Sequence, residues 1–197
     1  MSTQDWNVLP PDLPAPVDDG GAAHLTGMPL PPFELAATDG SSVRLDLLPG
    51  RAVVYAYPRT GVPGEDHLVP DWDAIPGARG CTPESCAFRD HFAELQAAGA
   101  TSVFGLSTQD SDYQREAVER LHLPFALLSD VDLELTKALR LPTFEAAGQT
   151  LLKRFTLVIA DGRIEHVFYP VFPPDRHAEE VLAWLASLRS DAGTQDG

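Results

Sequence analysis

The sequence predicts an α/β fold, a mixed central β-sheet flanked by helices with a β-hairpin on its N-terminal side. Three observations predict it. Short apolar, β-branched runs alternate with stretches of helical periodicity between residues 51 and 141, the pattern of parallel strands joined by helices. An Asp-Gly turn at 161–162 then folds a long extended run into an antiparallel pair, and a last helix follows. A second Asp-Gly turn, at 39–40, precedes the alternation.

Taken in order, residues 1–28 are rich in Pro, Asp, Gly and Ala and read as an arm; 29–188 form the domain, and 189–197 a polar tail. "FELAATDGSSVRL" is the first hairpin, and "RAVVYAYP" is a short apolar, β-branched and aromatic run, as expected for a central strand. A Pro/Gly/Asp-rich loop from Arg59 to Gly80 follows, of a length usually functional or mobile. The next helix takes Thr82 as its cap and Pro83 as its first position, carries Phe88, Phe92 and Leu95 on one stripe, and ends at Gly99. "SVFGLS" is the second strand. "SDYQREAVERLHL" is a helix capped by Ser111, with Tyr113, Ala117 and Leu121 on one face. "PFALLSD" gives a third strand, "LELTKALRL" a short helix, and "KRFTLVIADGRIEHVFYP" the second hairpin. A final helix from about Asp175 turns Ala178, Val181, Leu182, Leu185 and Leu188 inward. This order is similar to that of a thioredoxin-like fold.

At 197 residues, 44% of them hydrophobic, the chain suffices for one domain with a sizeable core. Its 14 basic and 29 acidic residues leave a net charge of -15, which argues against nucleic acid and anionic membranes as partners. No apolar run reaches the length of a bilayer span, and the N-terminus lacks the basic start and apolar centre of a secretory signal. A cytoplasmic location is expected.

Cys81 and Cys86 are the only thiols, with four residues between them at a helix start. In a reducing compartment such a pair is more often catalytic or metal-binding than structural. On an ideal helix their directions differ by about 140° and their heights by about 7.5 Å, so the Cα atoms stand roughly 8–9 Å apart. That exceeds the reach of a disulfide. The two bond only if the first turn unwinds, which suits a cycle between a folded dithiol and a locally unfolded disulfide. The open amides and dipole at the helix start favour a thiolate at Cys81, whereas Cys86 lies a turn deeper as a protected thiol. Spacing alone leaves other readings open: Cys86 as a small core residue, or a metal site with a histidine such as His91, although no second ligand cluster accompanies it.

"GCTPESCAFRDHF" closely resembles the active-site segment of the Q-type peroxiredoxins, the bacterioferritin-comigratory proteins. The resemblance continues through "LPFALLSD" and "KRFTLVIADGRIEHVFY" and covers roughly residues 28–188. It implies a thiol peroxidase without a cofactor, acting on hydrogen peroxide and organic hydroperoxides. By it, Cys81 attacks the O–O bond and becomes a sulfenic acid, and Cys86 condenses with it to an intramolecular disulfide. Thioredoxin or a glutaredoxin-type dithiol reductant then restores the thiols. Arg154 matches the arginine that holds the thiolate and polarises the peroxide, Glu84 the carboxylate that orients it, and Arg89 the arginine of Phe-Arg-Asp. Members with an internal disulfide are often monomers, so a monomer is expected. The ordinary alternatives are a strand-end cation for Arg154, a first-turn dipole partner for Glu84 and a solvated helix charge for Arg89.

One departure stands out. The family carries a Thr or Ser three residues ahead of the cysteine; here that position is Ala78, near the end of the longer stretch "GVPGEDHLVPDWDAIPGARG". Pro58 and Thr60, at the start of the loop, are therefore expected to keep the site roles while the insertion bulges outward. Competing functions on the same fold are a thiol–disulfide oxidoreductase, whose cysteines normally stand closer, a copper carrier using both cysteines and His166, and a redox sensor.

Overall fold

The computed structural model of the chain describes residues 8–193. Nine strands and five helices follow one another among them: β1 (Glu34–Ala37), β2 (Ser42–Arg44), β3 (Arg51–Ala56), α1 (Cys81–Asp90), α2 (Phe92–Ala97), β4 (Ala100–Ser107), α3 (Ser111–Leu121), β5 (Leu127–Ser129), α4 (Glu134–Leu139), β6 (Thr143–Ala146), β7 (Gln149–Leu152), β8 (Phe155–Ala160), β9 (Arg163–Phe168) and α5 (His177–Gly193). Seven strands form one sheet in the order β2-β1-β5-β4-β3-β8-β9. The parallel trio β3, β4 and β5 is flanked by antiparallel β1 on one side and antiparallel β8 on the other. This is the mixed sheet the sequence predicts.

β3 explains why both faces are covered. Its side chains alternate, so Val53 and Tyr55 meet Phe88, Leu95, Ala117 and Leu185 from α1, α2, α3 and α5. Ala52, Val54 and Ala56 face the other way, toward Leu135 and Leu139 of α4. That second face has one helix of only six residues, and residues of the N-terminal segment complete it. Ala22 and Leu25 are buried there. Gly27 and Leu30 donate to the carbonyls of Ile164 and Gly162 at 2.7 and 2.9 Å. Residues 8–28, read from composition as an arm, are thus docked on the domain; residues 1–7 lie outside the described part.

Other boundaries shift for local reasons. Gly80, in a left-handed conformation at φ 111°, caps α1 in place of Thr82, which lies inside the helix. Asp110 rather than Ser111 caps α3, its carboxylate accepting from the Tyr113 amide. The stripe Phe88–Leu95 spans two helices that meet at His91. α5 runs on to Gly193, through much of the expected polar tail, of which 194–197 lie outside the described residues. The β6–β7 hairpin was not anticipated. Among the described residues no helix is long and apolar enough to cross a membrane.

The loop between β3 and α1 is not a simple bulge. Trp72 is buried with Ala78, Ala146 and Leu151, and Leu68, Val69, Ile75 and Phe144 pack around them. The insertion therefore owns a small core, wedged between the approach to α1 and the β6–β7 hairpin. Register fixes the rest: Ala56 at the end of β3 pairs with Phe155 at the start of β8. Arg154, the loop after β3 and the start of α1 consequently meet at one end of the sheet.

Candidate active site

Cys81 opens α1 and is 4% exposed. Its Sγ stands 3.3 Å from Arg154 Nη2 and 3.7 Å from the Ala78 carbonyl oxygen. The same Nη2 faces the carbonyls of Gly77, Ala78 and Arg79 at 3.3, 3.4 and 3.2 Å. One guanidinium nitrogen thus gathers the thiol and the three residues that lead toward it. Arg154 Nη1 donates to Glu84 Oε2, one turn into α1, in an ion pair fully withdrawn from water. Arg154 Nε and Glu84 Oε1 are buried without a hydrogen-bond partner among the described residues.

Burial works against the charged form of Arg154, but Glu84 and then Cys81 outweigh it, so the guanidinium is held charged above its ordinary range. Burial likewise pushes the Glu84 carboxyl up, and Arg154 followed by His177 offset part of that rise. His177 is itself buried, its Nε2 2.8 Å from Thr156 Oγ1 and its Nδ1 3.0 Å from Glu180 Oε2. Tyr55 lies beneath the site, stacked on Phe88 at 4.4 Å and donating to Ser85 Oγ at 3.0 Å. Burial raises its phenol well above the usual value, so it stays neutral.

Cys86 sits half-buried in the same unbroken helix, and both cysteines are free thiols. Burial pushes its thiol up, while Arg89 draws it partly back. Arg89 is therefore a neighbour of Cys86 and is not brought to Cys81. Its guanidinium bonds Asp90 Oδ1 and the Leu121 carbonyl, both at 2.8 Å. Pro58 and Thr60 are buried at the end of β3. The Thr60 hydroxyl and amide both donate to Gln109 Oε1, at 3.2 and 2.9 Å, and Gln109 Nε2 returns a bond to the Thr60 carbonyl at 3.2 Å. Thr60 is thus tied to the loop after β4 rather than to Cys81. His166 stacks on Trp184 at 4.6 Å, and no group of three or more His, Cys, Asp or Glu among the described residues is arranged to hold a metal.

The recess over Cys81 has a volume of about 10 Å³, room for roughly one water-sized molecule, and its walls include Arg59, Gly61, Trp72 and Arg79. Sequence reasoning passed over Trp72 and Arg79. The available signal was a tryptophan and a second arginine inside a stretch otherwise composed like a solvated loop.

A mixed sheet, a buried thiol opening a helix and a buried guanidinium against that thiol define a thiol-based redox enzyme of the thioredoxin-like fold. Comparison with known proteins narrows the class. The chain matches the Redoxin family over residues 25–182. It is 34% identical to peroxiredoxin Q, chloroplastic, of Oryza sativa subsp. japonica over 82% of this chain and 67% of that protein. It is 33% identical to peroxiredoxin Bcp of Escherichia coli (strain K12), over 79% of this chain and 91% of that one. The crystal structure of peroxidoxin BcpB from Mycobacterium tuberculosis superposes with a TM-score of 0.66 at 30% identity, covering 83% of this chain and 98% of that one. The chain belongs to the peroxiredoxins of the Q/Bcp type, and it is a thiol-dependent peroxidase.

Proposed function

We propose that Cys81 is the attacking thiol and Cys86 the resolving one, and that hydrogen peroxide and organic hydroperoxides are the substrates. The Cys81 thiolate attacks one peroxide oxygen, the O–O bond breaks, and the departing oxygen leaves as hydroxide or alkoxide and takes up a proton. Cys81 becomes a sulfenic acid. Cys86 then displaces water from it, and the resulting disulfide is reduced by an external dithiol protein of the thioredoxin or glutaredoxin type, itself oxidised to its disulfide.

One observation carries this reading: the 3.3 Å contact of Arg154 Nη2 with Cys81 Sγ. It supplies fixed positive charge where a thiolate must persist and where negative charge grows on the leaving oxygen. Arg154 Nε, buried without a partner among the described residues, is a donor ready for an incoming peroxide oxygen. Glu84 is assigned the task of holding the guanidinium flat against the thiol. Arg89 is assigned to the Cys86 side, where its charge favours the thiolate that resolves. For Thr60 and Pro58 we infer a supporting part: both are buried beside Arg59 and Gly61, two residues that line the recess, and Thr60 is held by Gln109. We further propose that the protein works as a cytoplasmic monomer.

Both cysteines lie in α1, so disulfide formation requires its first turn to open. The test is one equivalent of hydrogen peroxide added to reduced protein, quenched within seconds for thiol titration and intact mass, beside Cys86→Ser. The expected result is loss of both thiols in one chain as a disulfide, and a trapped sulfenic acid in the variant. Survival of both thiols with peroxide unconsumed would overturn the assignment.

A further inference from the structure

The segment from Gly77 to Gly80 belongs to no helix or strand, yet it carries the carbonyls that Arg154 grips and it delivers Cys81. Something must hold it against that grip, because a thiol displaced by about 1 Å would lose its contact and roughly a hundredfold in rate. Two residues of the loop, one outside this segment and one within it, are placed to hold it. Trp72 packs on Ala78, the position with no hydroxyl to anchor it. The other is Arg79, two residues before Cys81 and 5% exposed.

The Arg79 side chain runs back into the earlier part of the insertion. Its Nη1 stands 3.2 Å from His67 Nε2 and 3.8 Å from Asp73 Oδ1, and His67 Nε2 is itself 3.7 Å from that oxygen. The Arg79 carbonyl meanwhile accepts from Arg154 Nη2 at 3.2 Å. One residue is therefore fastened at both ends, its backbone to the guanidinium that touches the thiol and its side chain to the inserted loop. A guanidinium this buried is costly to leave without its partners, so the anchor is rigid.

We propose that Arg79 is a positioning residue for the peroxidase reaction: anchored by His67 and Asp73, it fixes the segment before Cys81 and thereby the register of the thiol on Arg154. The inserted loop is then part of the active-site scaffold and does what a hydroxyl-bearing loop residue cannot do at Ala78. The proposal rests on the assignment of Cys81 and Arg154 above.

The test compares Arg79→Met, Arg79→Lys and Asp73→Asn with the wild type. Stopped-flow fluorescence separates the peroxide-dependent oxidation of the thiol from the peroxide-independent resolution step. Arg79→Met is expected to slow oxidation at least tenfold while still unfolding cooperatively. Arg79→Lys, which keeps the charge but not the fork, recovers only part of that loss, and Asp73→Asn shows a smaller loss in the same direction. Should Arg79→Met fail to fold, Asp73→Asn and His67→Gln carry the test, and wild-type oxidation rates in both overturn the proposal. Full recovery by Arg79→Lys overturns it too, since charge without position then suffices. A wild-type protein that consumes no peroxide refutes the parent assignment instead, and the two failures are distinct.

Discussion

At the scale of single residues, the chemistry turns on how a carboxylate and a guanidinium share a site without water. Glu84 and Arg154 are both fully buried, and each would be expensive alone. Breaking such a pair by removing one partner costs about 3–5 kcal/mol, whereas removing both and filling the space is often close to neutral. Glu84→Gln should therefore lower the stability measured by urea unfolding by several kcal/mol, and Arg154→Met should do likewise. The double variant should regain much of that loss, because no uncompensated charge is left behind. Peroxide reduction should respond differently. Of the pair, Arg154 is the member that touches the thiol, so activity lost with Arg154→Met is not restored in the double variant. A double variant as unstable as the sum of its parts would mean that the pair is not the source of the cost.

At the scale of elements, the start of α1 is the hinge of the cycle and its geometry is set by Gly80. With φ at 111°, Gly80 is strained for any residue with a side chain, and an added Cβ would collide with the Pro174 ring and come within 2.9 Å of Leu9 Cδ2. The ring belongs to the turn that leads into α5 and is too rigid to swing away. Gly80→Ala should cost at least about 1–2 kcal/mol from backbone strain alone, and should slow peroxide reduction by turning Cys81 off Arg154. A melting temperature and rate equal to the wild type would refute this. The same element shows what was legible beforehand. The two cysteines, Arg154 and Glu84 announced themselves through a short specific motif and a strand at the right distance. The true caps did not, because Thr82 and Ser111 are as good locally as Gly80 and Asp110, and tertiary contacts decide between neighbours. The β6–β7 hairpin turns through Ala147 and Gly148, at φ 50° and 73°, without the Asn-Gly or Asp-Gly that marks such turns in a sequence.

At the scale of the whole molecule, the least legible feature is how much the non-repetitive segments contribute. Composition made residues 8–28 an arm and 59–80 a loop because neither has periodicity, yet each supplies apolar anchors, Leu25 in one and Trp72 in the other. Neither segment stands alone. Ala15, Pro16 and Val17 of the first, and Ile75 to Gly77 of the second, wall an apolar cavity of about 330 Å³ that reaches Arg154. Part of the fastening of that wall is electrostatic. Asp19 accepts from Lys153 Nζ and from the Tyr169 hydroxyl, both at 2.6 Å, and from the Gly21 amide at 3.0 Å. These bonds, that from Lys153 foremost, hold its carboxyl well below the ordinary 3.8. A carboxyl depressed in the docked state binds its proton more readily once the segment is released. Its contribution is therefore complete above the ordinary carboxylate value and drains away as pH falls below it toward the docked value. Hydrogen exchange, corrected for intrinsic rates, should then show protection across residues 18–28 declining relative to the central sheet as pH falls below about 4. Asp19→Asn should be less protected at neutral pH and should lack that decline, because the group that titrates is gone. A decline of the same size in the variant would assign the acid sensitivity to another carboxylate, and leave the docking of this segment to the burial of Ala22 and Leu25 and the backbone bonds of Gly27 and Leu30.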